Sequence, residues 1–305
     1  MNPSLPAVII SGPTAAGKSA LALRFAGQCA SEIISADSAQ VYIDMNIGTA
    51  KPDANIRARV PHHLIDLIPP TESYSAAKFV EDALAAVRAV RAKNRVPIIV
   101  GGTMFYIKAL LEGLSALPPA NFNIRDEINQ LALKHGWAFL HQELYKVDPV
   151  TATRLHPTDA QRISRALEVF RGTGKPLSSL QGKRAPSPLG DSLHIVLMPK
   201  DRARLHALIE ARFESMLNAG LVDEVRALQK KYPLSATHPS IRSVGYRQVW
   251  GYLADEYPYH EMREKGIAAT RQLAKRQLTW LRHTDHDIEL DPFEKAYQDI
   301  SIENL

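Results

Sequence analysis

The nine residues "SGPTAAGKS", numbers 11 to 19, decide the fold class of this 305-residue chain. They match G-x-x-x-x-G-K-[ST], a loop that brings backbone N–H groups, a lysine and a hydroxyl onto a row of phosphates and an associated Mg²⁺ ion. The apolar run "AVII" comes directly before the loop and "ALALRFA" follows it. We therefore expect a strand, a phosphate-binding loop and a helix, in that order.

Other short apolar runs extend this pattern along the chain. A buried strand is predicted in "SEIISADSAQVY", ending near residue 35, another in "PIIV" (97–100) and another in "LHIVLMP" (193–199). Ala-rich stretches of helical periodicity lie between them, as in "YSAAKFVEDALAAVRAVRAK". Short strands that alternate with helices predict an α/β fold of the P-loop NTPase type, a parallel sheet with helices on both faces. Ligands of such folds bind at the carboxyl ends of the strands.

The pattern becomes entirely helical between residues 118 and 185. We therefore predict a catalytic core formed by residues 1–117 and 186–305, interrupted by a helical insertion domain at 118–185. Inside the insertion, Thr158 and Gln161 have the spacing of a capping box, and Gly172 is the predicted end of that helix. The Pro/Ser/Gly-rich stretch "PLSSLQGKRAPSPLG" is predicted to be a loose connector back to the core.

Composition sets broad limits on the kind of protein. The formal charge is +5 and the pI is near 9.2, which permits a polyanionic partner without requiring one. A single cysteine, Cys29, excludes an intramolecular disulfide framework and favours a reducing compartment. No apolar run approaches the length of a membrane span. We expect a cytoplasmic protein without membrane contact, and a monomer as the default.

Several side chains near the predicted strand ends are candidates for chemistry. Asp37 follows the second strand, where a carboxylate can hold a metal ion, act as a general base or cap a helix. Gly101, Gly102 and Thr103 can serve either as a turn or as ligand contacts. Adjacent histidines at 62 and 63 point in different directions and no second cysteine is available, so a zinc site is not expected there.

Basic residues form three clusters. The stretch "RQLAKRQLTWLRH" (271–283) contains four Lys/Arg and no acid, "IRSVGYRQVW" (241–250) has Tyr246 between two arginines, and Arg162 and Arg165 lie one helical turn apart. Taken alone, the 271–283 stretch is explained more simply as a solvated helix face, but three separate basic clusters together favour nucleic acid. Three functions therefore stay open: an ATP-dependent small-molecule kinase or NTPase, an enzyme acting on nucleic acid with a diphosphate donor, and a nucleotide-gated binding protein.

At this point the sequence resembles the bacterial tRNA dimethylallyltransferases through nearly its whole length. The shared stretches include "GPTAAGKS", "IISADSAQVYIDMNIGTAKP", "VPHHLIDLIPPTESYSAAKF", "PIIVGGTMFYIKALLEGL", "DPVTATRLHPTDAQRISRALEVF", "SVGYRQVWGYL" and "RQLAKRQLTWLR". Ser19 stands where threonine is frequent in the family, and either hydroxyl can serve. The resemblance implies Mg²⁺-dependent transfer of a dimethylallyl group from dimethylallyl diphosphate to the exocyclic amine of the tRNA adenosine next 3′ to the anticodon.

The resemblance also implies roles for particular residues. Asp37 becomes the general base, and Thr14 and Lys18 act on the leaving diphosphate, with Ser19 holding Mg²⁺. The donor-binding set is Gly12, Pro13, Thr14, Ala15, Ala16, Gly17, Lys18, Ser19 and Arg212. The tRNA-binding set is Asp37, Ser38, Ala39, Gln40, Thr103, Arg125, Gln161, Arg162, Ile163, Ser164, Arg165, Arg242, Ser243, Val244, Gly245, Tyr246, Arg247, Lys275, Arg276, Gln277, Leu278, Thr279, Trp280, Leu281 and Arg282.

Overall fold

A computed structural model describes residues 6–115, 117–182 and 189–302. These residues form a six-stranded sheet in the spatial order β3-β2-β4-β1-β5-β6, in which every pair of neighbours is parallel. The strands are β1 (Ala7–Ser11), β2 (Ser31–Ser35), β3 (His62–His63), β4 (Val96–Gly101), β5 (Ser192–Leu197) and β6 (Ile288–Leu290). The predicted parallel sheet is thus confirmed, and its four predicted strands are β1, β2, β4 and β5.

The two edge strands were not predicted from the sequence. β3 has two residues and β6 has three, too few to show any periodicity. β3 is defined by its backbone pairing with β2, and β6 by its pairing with β5. Both pairings join residues that are far apart in the chain. Such short strands also limit the exposed edge of a sheet.

The chain divides into two compact units, Met1–Leu111 with Ser187–Leu305 and Glu112–Pro186. Residue 185, the predicted end of the insertion, and the connector residues 183–188 lie outside the described part of the chain. The helices before residue 113 are α1 (Lys18–Gln28), α2 (Ala54–Arg59), α3 (Ala76–Ala92) and α4 (Met104–Glu112). Those after β5 are α10 (Arg202–Asn218), α11 (Leu221–Lys231), α12 (Tyr246–Leu253), α13 (Tyr259–Leu281) and α14 (Lys295–Asp299).

Successive side chains of the strands point to opposite faces of the sheet, and helices cover both faces, which gives two apolar clusters. On one face Ile9, Ile34 and Ile99 pack against Phe79 of α3 and Leu110 of α4. On the other face Ile10, Ile33 and Ile98 pack against Leu21 and Phe25 of α1. A third cluster joins Val41 and Met45, after β2, to Phe213 of α10, Tyr246 of α12 and Met262 of α13. These contacts fix the segments that surround the strand ends.

The second unit contains the predicted helical insertion. Its described elements are α5 (Phe122–His135), α6 (Trp137–Val147), α7 (Pro149–Arg154), α8 (Ala160–Thr173) and α9 (Leu177–Leu180). They enclose a core of their own that includes Ile128, Leu140, Leu144, Ile163 and Val169. A hydrophobic core of its own allows a segment to form a compact unit within a longer chain.

The predicted limits of α8 were wrong by one or two residues. Asp159 caps the helix, its carboxylate accepting from the Arg162 N–H, because the hydroxyl of Thr158 is engaged with His156 instead. The helix ends at Gly174, in the left-handed region with φ 69°, rather than at Gly172. Among the described residues no helix is both long and apolar enough to cross a bilayer.

Candidate active site

The loop between β1 and α1 has the geometry that its glycines predict. Gly17 lies in the left-handed region at φ 85° and opens α1, so that the helix N-terminus faces the loop. Gly12 is required by close approach, because a Cβ there would lie 2.9 Å from Cβ of Leu197 in β5. The Lys18 side chain folds back over the loop and donates to the Pro13 carbonyl at 2.7 Å. This arrangement leaves a positive group beside a helix N-terminus, which suits a diphosphate.

The loop borders a cavity of about 830 Å³ within the first unit. Its walls carry residues from the carboxyl ends of β1, β2 and β4, among them Lys18, Asp37 and Thr103. Their meeting follows from the register, since Ser11 pairs with Gly101 and Ser35 with Val100 in adjacent parallel strands. A cavity of this size fits a small organic substrate.

Asp37 lies in a turn and not at a helix start, so the N-cap alternative is wrong. One carboxylate oxygen, Oδ1, accepts from the Ala39 N–H at 2.8 Å, which orients the group within the cavity wall. Gln40 is structural, because its amide accepts from the Ser35 hydroxyl and donates to the Thr49 carbonyl. Two carboxylates line the cavity after β2: Asp53, which caps α2, and Asp37, whose charge acts on Lys18 and Arg212, so Asp37 is the candidate for proton transfer.

Gly101 and Gly102, at the end of β4, are packed so closely against neighbouring residues that a side chain would not fit. A Cβ on Gly101 would lie 2.0 Å from the Ala36 carbonyl oxygen, and one on Gly102 would lie 2.6 Å from Nε2 of Gln277. Thr103 ties the ends of β2 and β4 together, since its hydroxyl accepts from the Ser38 N–H at 2.9 Å and donates to the Ser38 hydroxyl. These bonds join the segment after β2, which carries Asp37, to the segment after β4.

Two cations face the cavity together with Asp37. Burial and the neighbouring Arg212 charge lower the pKa of Lys18 to about 7, and Asp37 opposes this shift. Burial likewise lowers the pKa of Arg212, again opposed by Asp37. Both cations are poorly solvated, and the single Asp37 carboxylate does not balance their two charges. Binding of an anion with two or more negative charges would therefore stabilise their charged forms.

Asp66 and His63, in the segment around β3, have structural partners. Asp66 is paired with Lys51 at 2.5 Å and with Arg57 at 2.8 Å. His63 bonds to the buried Glu32 at 2.7 Å. In residues 6–115, 117–182 and 189–302 no cluster of histidine, cysteine and carboxylate side chains is arranged for a metal ion.

The basic stretch of α13 presents a mixed face. Lys275, Arg276, Thr279, Trp280 and Arg282 are exposed, and Arg276 and Trp280 also line the cavity. Gln277, Leu278 and Leu281 are buried. Arg271, which the sequence placed in the same cationic stripe, is instead paired with Glu210 of α10 at 2.9 Å.

The arginines near 245 are exposed, but their aromatic neighbour is not. Tyr246 is 0 % exposed, and its hydroxyl donates to Glu224 of α11. The expectation of an aromatic ring interleaved with Arg242 and Arg247 on the surface is therefore wrong. Ser243, Val244 and Gly245 line the cavity.

The charges of the second unit are partly neutralised. Glu168 is 2 % exposed and accepts from Arg125 and from the Asn121 N–H, and it pairs with Arg165 at 3.0 Å. Arg162 stays exposed, with 73 % of its side chain accessible. Gln161 and Ser164 are at least partly accessible, whereas Ile163 is in the core. The Arg165–Glu168 pair has the i, i+3 spacing of neighbours on one helix, whereas the Arg125–Glu168 pair joins α5 to α8 and is formed only by the fold.

Sequence reasoning missed several parts of the cavity wall. Phe105, Phe213 and Met216 line it as apolar surface, and nothing local in the sequence distinguishes them from ordinary core residues. Glu224 accepts from the backbone N–H groups of residues 46 to 48 and fixes that wall. Spacing along the chain gives no signal for contacts that join residue 224 to residue 46.

Comparison with known proteins gives a consistent result. Residues 40–284 match the family model described as IPP transferase. The chain is 54% identical over 300 residues to the tRNA dimethylallyltransferase of Ralstonia nicotianae, covering 96% of this chain and 93% of that protein. It is 55% identical over 283 residues to the tRNA dimethylallyltransferase of Aromatoleum aromaticum, covering 92% of this chain and 88% of that protein.

Solved structures agree with this. The tRNA isopentenylpyrophosphate transferase of Bacillus halodurans superimposes with a TM-score of 0.64 at 31% identity, covering 98% of this chain and 92% of that one. A eukaryotic dimethylallyltransferase acting on tRNA gives a TM-score of 0.81 at 26% identity, covering 99% of this chain and 77% of that one.

Proposed function

The chain belongs to the IPP transferase family, and from this membership we propose that it transfers a dimethylallyl group from dimethylallyl diphosphate to tRNA. The acceptor is the exocyclic amine of the adenosine next 3′ to the anticodon, and diphosphate is released. The observation that carries the proposal is the single cavity that joins the phosphate loop, with Lys18 and Arg212, to the Asp37 carboxylate. The relatives do not support the kinase alternative.

In this cavity, the reaction needs a base on one side and an anion site on the other. The amine nitrogen of adenine attacks the first carbon of the dimethylallyl group, a new C–N bond forms, and the C–O bond to diphosphate breaks. The amine is a weak nucleophile because its lone pair is delocalised into the ring. Asp37 takes the proton that the nitrogen loses, which prevents a charged product from building up.

On the other side, negative charge develops on the departing diphosphate. Lys18, Arg212 and the N–H groups at the start of α1 stabilise that charge, and stabilisation is strongest where water is excluded. Thr14 lies in the same loop and is proposed to bond the oxygen that leaves. The phosphorus atoms are not attacked, so the loop holds a leaving group and no phosphoryl transfer takes place.

We propose Mg²⁺ as the cofactor, held through the Ser19 hydroxyl. This hydroxyl lines the cavity and has no hydrogen-bond partner among the described residues, and hard oxygen ligands suit the ion. When bound, Mg²⁺ would neutralise part of the charge on diphosphate.

For tRNA, we propose contacts to Lys275, Arg276, Thr279, Trp280 and Arg282, to Arg242 and Arg247, and to the strand ends at Ser38 and Thr103. The target base has to leave its stack to reach Asp37, as bases do in other enzymes that modify them. Arg162 and its neighbours in the helical unit are proposed to contact the anticodon stem-loop. The protein is further proposed to be cytoplasmic, since its single cysteine favours a reducing compartment, and to work as a monomer.

The decisive experiment supplies labelled donors to the purified protein. Dimethylallyl diphosphate labelled in the isoprenoid, or γ-labelled ATP, is incubated with and without bulk tRNA in the presence of Mg²⁺. We expect label to move from the isoprenoid into tRNA. Phosphate release from ATP with no isoprenoid transfer would overturn the proposal and restore the NTPase alternative.

A further inference from the structure

Gln277 was expected to contact tRNA, but its side chain is turned into the protein. The residue is 6 % exposed, while its neighbour Arg276 and Trp280, one turn further along α13, are exposed. Its side chain lines the cavity and leaves almost no surface for a macromolecule outside it. Its amide therefore acts on the protein itself.

Both ends of the Gln277 amide are committed to the cavity edge. Oε1 accepts from the Thr14 N–H at 2.9 Å, and Nε2 donates to the Gly102 carbonyl at 2.7 Å. Thr14 belongs to the phosphate loop after β1, and Gly102 to the turn after β4. The amide thus bridges two neighbouring strand ends from a helix that lies more than 170 residues away along the chain.

The bridge sits against the group that binds phosphate. A Cβ built on Gly102 would lie 2.6 Å from Nε2 of Gln277, 3.5 Å from the Gly12 carbonyl oxygen and 3.6 Å from Nζ of Lys18. These four residues are packed around one point, so a shift of Gln277 moves the Thr14 end of the loop relative to Lys18. Catalytic groups have to stay within about half an ångström of their working positions.

We propose that Gln277 is a positioning residue of the donor site, which fixes Thr14 and the phosphate loop from the helix that presents Arg276 and Trp280 to tRNA. The inference rests on the proposed function for the identity of the donor. It assigns to Gln277 no contact with tRNA. The helix then serves two substrates at once, with its exposed side chains toward tRNA and its buried amide toward the diphosphate.

The test compares Gln277→Met with Gln272→Met. Methionine keeps the length of the side chain but removes both hydrogen bonds, and Gln272 is an exposed glutamine of the same helix. With Gln277→Met we expect the KM for dimethylallyl diphosphate to rise about tenfold and kcat to fall, with the KM for tRNA unchanged. Gln272→Met should leave all three constants at the wild-type values.

A second measurement does not depend on transfer activity. Binding of inorganic diphosphate is followed by its effect on the melting temperature, and the Thr14 amide by hydrogen exchange. Gln277→Met should weaken diphosphate binding about tenfold and speed exchange at Thr14. Gln277→Glu keeps an acceptor for the Thr14 N–H and should retain its protection, which preserves the test if the methionine variant does not fold.

The outcomes separate the two proposals. A raised KM for tRNA with an unchanged donor KM would make Gln277 a tRNA contact and overturn the inference. So would unchanged diphosphate binding in a folded Gln277→Met protein. If the wild-type protein binds diphosphate but transfers no isoprenoid to tRNA, the proposed function fails, while the effect of Gln277 on diphosphate binding still decides the inference.

Discussion

Lys18 and Arg212 lie on the wall of one cavity, and the Arg212 charge adds to burial in lowering the pKa of Lys18 to about 7. A lysine in water would carry its proton far above this pH. Lys18 is therefore only partly charged at neutral pH, and a bound diphosphate, being an anion, would raise the pKa of Lys18 again.

The first prediction concerns this titration. Deprotonated lysine reacts with acetic anhydride, so labelling of Lys18 should rise with a midpoint near pH 7. Lys200 is the matched control, because its ion pair with Glu294 raises its pKa and its labelling should require much higher pH. Labelling of both residues over the same pH range, measured by mass spectrometry, would contradict the prediction.

The same shift predicts how diphosphate binding depends on pH. Since the anion raises the pKa of Lys18, binding takes up a proton wherever the free lysine is uncharged, which is above about pH 7. In Lys18→Met this uptake should be absent. Calorimetry at pH 8 in two buffers of different ionisation enthalpy, without Mg²⁺, measures the difference between the two proteins. Equal proton uptake in both would show that Lys18 does not titrate on binding.

Replacement of Arg212 should change two quantities at once. Arg212→Met removes a charged partner of the diphosphate, and we expect the donor KM to rise roughly 10- to 100-fold. It also removes the repulsion that lowers the pKa of Lys18, so the labelling midpoint of Lys18 should move upward. Arg263→Met is the control, since Arg263 is engaged with Glu210 and Glu214. An unmoved Lys18 midpoint in Arg212→Met would contradict the coupling.

Asp37→Asn tests the base. Asparagine keeps an oxygen that can accept from the Ala39 N–H but cannot take a proton, so turnover should fall about 10²- to 10⁴-fold with tRNA affinity little changed. Asp53→Asn is the matched control, because Asp53 lines the same cavity and only caps α2. Single-turnover transfer measures the chemical step directly. Near-normal rates in Asp37→Asn would remove Asp37 from this role.

The exposed and paired arginines of α13 should differ in their effect on tRNA. Arg276→Ala is expected to weaken tRNA binding and to reduce the slope of log affinity against log salt by about 1. Arg271→Ala should leave the slope unchanged, because Arg271 is already paired with Glu210. Titrations of labelled tRNA at several salt concentrations compare the two variants. Equal slopes would mean that exposure does not identify the tRNA-contacting arginines.

The sequence predicted well whatever depends on neighbours in the chain. The loop from residue 11 to 19 has its chemistry in four fixed positions, and strands such as "AVII" and "PIIV" are buried on both faces and read as apolar runs. The expected meeting of the β1, β2 and β4 ends followed from the rule that parallel strands share one edge for their ligands.

Which charged and aromatic side chains are available to a ligand was decided by folding. Arg125 and Arg271 look like nucleic-acid contacts until Glu168 and Glu210 appear beside them, and Tyr246 becomes a core residue only once Glu224 accepts from its hydroxyl. Gln277 likewise stands among exposed cations in the sequence but bridges Thr14 and Gly102 in the structure. The physical reason is that a local pattern fixes the backbone and the side-chain type, whereas partners and burial depend on segments that only the tertiary fold brings together.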